Sequence, residues 1–491
     1  MLFNSLAFLI FFPITLLLYF KFPKRFQWII LLLMSCIFYM FFIPYYILVL
    51  FYLIATDYIA GRIIQNSKGK KRTIFFIVSI LSNLGTLFLF KYFNFFTTNI
   101  QALANIFHVT LSTTTLMFVL PLGLSFHTFQ SMSYIIEVYK KRIKAEKNLG
   151  IYTLYIMFFP QLVAGPIERP QQMLHQLHKI HMFNYTNLQE GLTRMLIGFF
   201  KKLVIADNCA IIVNQVYAHP QDYTGLPLII ATIAFSLQIY YDFSGYIDIA
   251  IGAAKILGIT LAENFNHPYL SQSISEFWRK WNITLYSWFR DYIYIPLGGN
   301  RVPVIRQGGN IFFVFVLSGL WHGASWTFVT WGAIHGIYMV TAIILGRLKL
   351  TKNVSLPFSN LQIKFLKIVF TFTLVSFAWI FFRANTFSDA YYIITHSFQG
   401  LGSITYALLD FNFYPVYLYI FKQGGGLGLP IMGMIAVLAA LILLQTYEYL
   451  SHKQKLDALP AYAKWAVYIG FLLFIMNFEF VSRAPFIYFQ F

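Results

Sequence analysis

The sequence predicts an all-α, polytopic membrane protein that crosses the bilayer about ten or more times. Composition is the first ground. Of 491 residues, 58% are hydrophobic and only 11% charged, against about 25% charged in ordinary soluble domains. Phe (55) and Tyr (33) are abundant. Water could not accommodate that much apolar surface, whereas lipid as solvent can. Charge placement is the second ground. The net charge is +19, but the basic residues stand in short clusters between apolar runs. That is the bias of cytoplasmic loops and not the footprint of a nucleic-acid binder. The two cysteines, Cys36 and Cys209, lie in or beside apolar runs, so neither a disulfide framework nor a Cys-based metal site is indicated.

The elements follow in order. Met1-Leu2-Phe3-Asn4-Ser5 has no basic n-region and no small-residue cleavage site after the first apolar run, so it reads as a retained first span. Between the cluster Lys21, Lys24, Arg25 and the cluster Arg62, Lys68, Lys70, Lys71, Arg72 lie 36 mostly apolar residues broken at Ile43-Pro44. They hold two spans and return the chain to the same side. Apolar runs near 74–93 and 115–138 do so again before Lys140, Lys141, Arg142, Lys144 and Lys147. All three clusters are therefore consistent as cytoplasmic, with the N-terminus outside. Beyond Arg347, Lys364 and Lys367, spans near 368–382, 428–446 and 465–480 carry the tail, 481–491, to the outer face. No internal repeat or soluble appendage is visible, and residues 1–491 read as one integral membrane domain.

Two stretches do not fit simple spans. Residues 159–190 are polar and contain Pro160, Pro166 and Pro170, and residues 262–306 scatter charges among Trp, Tyr and Phe. Inside a membrane protein such a stretch lines a cavity or re-enters, because its backbone must be satisfied by protein or water. Residues 262–346 are the expected catalytic segment.

The densest chemistry is Leu317-Ser318-Gly319-Leu320-Trp321-His322-Gly323-Ala324-Ser325-Trp326, followed by Trp331-Gly332 and His335-Gly336. Apolar runs at 310–321 and 327–346 flank it, so it reads as a helical hairpin with His322 near the tip. An arm of 12 residues rises about 18 Å, short of the roughly 30 Å apolar core, which would hold His322 within the membrane. An imidazole there suits general-base work near neutral pH. The competing reading is a histidine that only bridges helices by a hydrogen bond. His335 fits packing or support of His322.

These residues carry a resemblance. Trp321-His322-Gly323 resembles the histidine signature of the membrane-bound O-acyltransferase superfamily, and the context is similar to its bacterial alginate O-acetyltransferase branch. Matching segments include Leu120-Pro121-Leu122-Gly123-Leu124-Ser125-Phe126, Phe159-Pro160-Gln161-Leu162-Val163-Ala164-Gly165-Pro166, Gln238-Ile239-Tyr240-Tyr241-Asp242-Phe243-Ser244-Gly245, Phe277-Trp278-Arg279-Lys280-Trp281 and Trp288-Phe289-Arg290-Asp291-Tyr292. The resemblance implies a helical bundle of roughly 11–13 membrane helices plus re-entrant segments around a tunnel. It implies acetyl-CoA as donor substrate, no bound cofactor and His322 as the base. The second signature residue aligns with Asn282, where the bacterial branch usually has histidine. An asparagine can hold a substrate but cannot exchange protons.

Other residues have two readings. Arg279, Lys280, Arg290 and Arg301 serve positive-inside topology or receive coenzyme A phosphates, with Trp278 and Trp321 beside them as candidate donor-binding residues. Asp242, inside an apolar run, calls for a buried Arg or Trp N–H partner. His175, His178 and His181 are spaced by three, which reads as a solvated amphipathic loop and not a metal site.

The tail Phe486-Ile487-Tyr488-Phe489-Gln490-Phe491 is an aromatic anchor at the interface or a relay. It resembles the Phe/Tyr-rich C-terminal motif of envelope acyltransferase systems, which implies Tyr488 as an acyl carrier. A serine (SGNH) esterase-like transferase outside the cytoplasmic membrane would be its partner. The alternatives are transfer of D-alanyl or another acyl group, and a transporter with no chemistry of its own.

Overall fold

The computed structural model describes residues 1–111, 114–348, 359–402, 409–410, 431–452, 460–478 and 486–487. Among them the regular elements are all helical and no strand occurs. Among the described residues, seven helices are long and apolar enough to cross a membrane: Pro44–Asn66, Gly69–Ile106, Leu226–Ile256, Val304–His322, Trp326–Arg347, Asn360–Arg383 and Ala461–Phe478. Leu6–Lys21 and Ile435–Glu448 are shorter apolar helices. The chain is a multi-pass membrane protein. The run near 115–138 becomes helical from Leu124, in the helix Leu124–Tyr139, and Pro121 biases the chain before it towards extended backbone.

The described residues gather into two compact units, each assembled from three stretches of chain. The first comprises Met1–Met195, Ile247–Asn264 and Thr284–Ile293. Its helices Gln27–Met40 and Ile47–Asn66 flank the break at Pro44, as the sequence predicts. The polar stretch after residue 158 is not helical until Pro170–Leu177. Its backbone is met by side chains: Ser35 Oγ accepts from the Phe159 N–H at 3.1 Å, and Thr284 Oγ1 accepts from the Ile167 N–H at 3.1 Å. The Glu168 carbonyl accepts from the Tyr155 hydroxyl at 2.8 Å. Arg194 joins Asp248 at 3.0 Å and Glu263 at 2.6 Å. The three spaced histidines go to separate places. His175 and His178 are exposed, His178 meets Glu146 at 2.8 Å, and His181 Nε2 lies 2.9 Å from the Gln176 carbonyl.

The second unit comprises Leu196–Tyr246, Phe265–Ile283 and Tyr294–Phe491. Its centre is the expected hairpin, built from Val304–His322 and Trp326–Arg347. Glycines let the two arms touch. A Cβ on Gly319 would lie 2.2 Å from the Phe328 carbonyl oxygen, and one on Gly332 would lie 2.3 Å from that of Phe315. Only the absence of a side chain permits this approach. Ser325 caps the second arm, its hydroxyl accepting from the Thr327 N–H.

One expectation about the hairpin is corrected. The first arm has 19 residues, not 12, so it rises about 28 Å, close to a full apolar core. Arg306 and Asn310 extend the helix because both donate to the Leu297 carbonyl, at 3.4 and 3.0 Å. Gln307 accepts from Arg347 at 3.0 Å. A short arm therefore does not set the position of His322. Its surroundings do.

Candidate active site

His322 is the last residue of the first arm, and Gly323 follows it with extended backbone, its N–H returning to the Gly319 carbonyl. A Cβ at residue 323 would lie 2.2 Å from the Phe328 ring, so the glycine brings that ring onto the turn. His322 is 6% exposed. Its imidazole packs against Trp321 at 4.8 Å, Trp331 at 5.1 Å and Phe382 at 5.4 Å between ring centres. Phe382 comes from Asn360–Arg383, which also supplies Trp379, stacked on Trp331 at 5.5 Å.

His335 stands four residues after Trp331 on the second arm and packs on it at 5.1 Å. The Trp278 indole N–H donates to His335 Nδ1 at 3.3 Å. An indole nitrogen only donates, so Nδ1 accepts and His335 carries its proton on Nε2. Trp278 and Trp321 are 5% and 4% exposed. Any contact they make with a donor is thus inside this cluster and not at its surface.

Asn282 lies between the short helices Ile274–Lys280 and Ile283–Phe289. Its φ is +43°, a left-handed conformation that asparagine tolerates better than most residues. It is 1% exposed, and neither side-chain amide atom has a hydrogen-bond partner among the described residues. A buried amide without partners is costly, and it marks a place where a ligand atom would be stabilising. Trp281 packs on Trp379 at 5.2 Å. Trp281, the residue before Asn282, is therefore linked through Trp379 and Trp331 to His322 by successive ring contacts.

The basic candidates divide. Lys280 pairs with Glu276 at 2.7 Å, which holds the Glu276 carboxyl below its usual range. Arg279 and Arg301 are exposed. Arg290 belongs to the first unit and pairs with Asp291 at 2.8 Å, whose carboxylate raises the guanidinium further.

Asp242 is corrected: its partner is neither an arginine nor an indole but Lys202, at 2.6 Å. Lys202 also meets Asp207 at 2.8 Å. The sequence reading missed Lys202, although a Lys201-Lys202 pair inside Leu196–Ala206 was the signal for a buried cation. Tyr488 lies outside the described residues. Phe486 and Ile487 are described, and both are buried.

The model of the membrane-bound O-acyltransferase family matches residues 147–384. The chain is 33% identical over its whole length to the whole "Probable alginate O-acetylase" of Azotobacter vinelandii. It is 33% identical to the peptidoglycan O-acetyltransferase of Helicobacter pylori over 82% of this chain and 81% of that one. With the teichoic acid D-alanyltransferase of Bacillus subtilis it shares 31% identity over 54% of this chain and 69% of that one. The chain belongs to the membrane-bound O-acyltransferase family and is an O-acyltransferase.

Proposed function

We propose that this enzyme draws acetyl groups from cytoplasmic acetyl-CoA and passes them through the cytoplasmic membrane for O-acetylation of an extracytoplasmic polysaccharide. The burial of His322 among Trp321, Trp331 and Phe382 carries the reading. His322 takes the proton of the acceptor hydroxyl, and the oxygen attacks the thioester carbonyl. The C–O bond forms, the C–S bond breaks, and coenzyme A leaves as the thiol once His322 returns the proton. The unpartnered amide of Asn282 holds the substrate. Arg279 and Lys280 receive the coenzyme A phosphates, and Trp278 and Trp321 shape the pocket. Acetyl-CoA is a substrate; no resident cofactor is invoked.

The donor is cytoplasmic and the polymer is not, so a relay is required. With both termini at the outer face, Tyr488 takes the acyl group and hands it to an SGNH esterase-like partner. Acetyl is favoured over D-alanyl because the O-acetylating relatives match the chain over most or all of its length, the D-alanyl one over about half.

With labelled acetyl-CoA, His322→Ala should lose about a hundredfold or more in transfer rate, and wild-type enzyme should carry label on the C-terminal peptide at Tyr488 by mass spectrometry. Full activity of His322→Ala overturns the base assignment. Transfer to polymer with Tyr488 never labelled overturns the relay.

A further inference from the structure

Outside the His322 cluster, the most heavily charged buried place in the second unit is at Lys202. After the helix Tyr185–Phe200 the backbone widens into a single π-turn, Lys201–Ala206, a distortion that recurs at functional sites. The turn carries Lys202 inward. Its side chain is fully buried and meets Asp207 at 2.8 Å and Asp242 at 2.6 Å, both carboxylates also buried. Two buried carboxylates each offer a second oxygen, and buried carboxylate oxygens are tolerated inside a protein when donors reach them.

The C-terminal tail supplies one. The Ile487 backbone N–H donates to the second oxygen of Asp242 at 2.8 Å. The ring of Phe486 lies over the Lys202 ammonium at 4.7 Å and meets the Tyr246 ring edge-on at 5.2 Å. Phe486 and Ile487 are 1% and 2% exposed, unlike a tail that merely floats at an interface. A backbone N–H and an aromatic face therefore complement a carboxylate and an ammonium that are already paired to each other.

We infer that Lys202, Asp207 and Asp242 form a charged clasp that docks the C-terminal tail, with Lys202 and Asp242 acting as positioning residues for the acyl relay. This rests on the reading of Tyr488, the next residue in the sequence, as the acyl carrier. The clasp holds Phe486 and Ile487, the two residues that precede Tyr488 in the sequence.

The test uses full-length enzyme in lipid nanodiscs. Asp242→Asn leaves Lys202 paired with Asp207 and keeps the side-chain shape, and Phe486→Ala alters only the tail. Carboxypeptidase release of the C-terminal residues reads docking without any chemistry. Both variants should speed release by about tenfold or more, the scale of a lost charge-assisted hydrogen bond for Asp242→Asn and of a lost desolvated cation–π contact for Phe486→Ala, and Phe486→Leu, which keeps bulk but no π face, should fall between. Both should lower kcat for acetyl transfer while KM for acetyl-CoA and the melting temperature hold; a general structural lesion would move those as well. Release unchanged in both variants overturns the clasp. Faster release with unchanged kcat overturns its positioning role. Tyr488→Phe separates the two ideas: transfer retained in that variant sinks the relay, while the release assay still decides whether the tail is docked.

Discussion

Replacing Gly319 with alanine would put a methyl carbon 2.2 Å from the Phe328 carbonyl oxygen and 3.1 Å from its carbon. Ordinary van der Waals contact begins near 3.4 Å, so the gap falls short by about 1.2 Å. The obstacles are backbone atoms of the opposite arm, which no rotamer change can move aside. The arms must part by about 1 Å, at a cost of about 1–3 kcal/mol, and the separation falls between His322 on one arm and Trp331 on the other. A displacement of that size near reacting groups costs about a hundredfold in rate. Gly309 is the matched control. It lies on the same helix with nothing within 4 Å of its would-be Cβ, so Gly309→Ala should be neutral or should stabilise by up to about 1 kcal/mol. The assay is acetyl transfer from labelled acetyl-CoA beside thermal unfolding of both variants in the same detergent. Equal activity and stability in Gly319→Ala and Gly309→Ala would refute the close-packed hairpin as the frame of the site.

At Asn282, the left-handed φ of +43° is open to glycine. Asn282→Gly should keep the melting temperature within a few degrees and lower kcat by about tenfold or more, the worth of one lost hydrogen bond to a reacting group. Unchanged kcat would mean that the amide holds nothing. Glu168 makes the pH test. Burial pushes its carboxyl up to about 7, opposed by the hydrogen bond from the Ala262 N–H, so the folded state binds its proton more tightly than the unfolded chain, whose reference value is about 4.5. Stability should therefore fall as pH rises from about 4.5 to about 7 and level off above. The effect is bounded at roughly 3 kcal/mol. Glu168→Gln keeps an acceptor for Ala262 and should melt higher than wild type at pH 8 but not at pH 5; parallel melting curves across that range would exclude the effect.

Local pattern made much of this legible. The break at Pro44 announced two helices because proline cannot donate within a helix, and the flanked Trp321-His322-Gly323 announced the hairpin tip. What the sequence concealed depended on partners far along the chain. The first arm is longer than its apolar run because Arg306 and Asn310 find the Leu297 carbonyl, a contact that hydropathy cannot register. Asp242 plainly needed a cation, but Lys202 is 40 residues away and shares no periodicity with it. The phenyl ring of Phe382 against His322 was likewise hidden in an ordinary apolar span. The burial of Phe486 and Ile487 had no local signal, since an aromatic terminus looks the same whether it lies in lipid or folds inward.

The rings around His322 bear on a problem every group-transfer catalyst faces. Bulk water outnumbers any sugar or phenol hydroxyl by orders of magnitude, and a base that can activate one can activate the other. A histidine walled by Trp321, Trp331 and Phe382 keeps company with indole and phenyl faces that hold water poorly. On the chemistry proposed above, fidelity to the acceptor and thrift with a thioester donor would then be properties of that aromatic enclosure more than of the imidazole it surrounds.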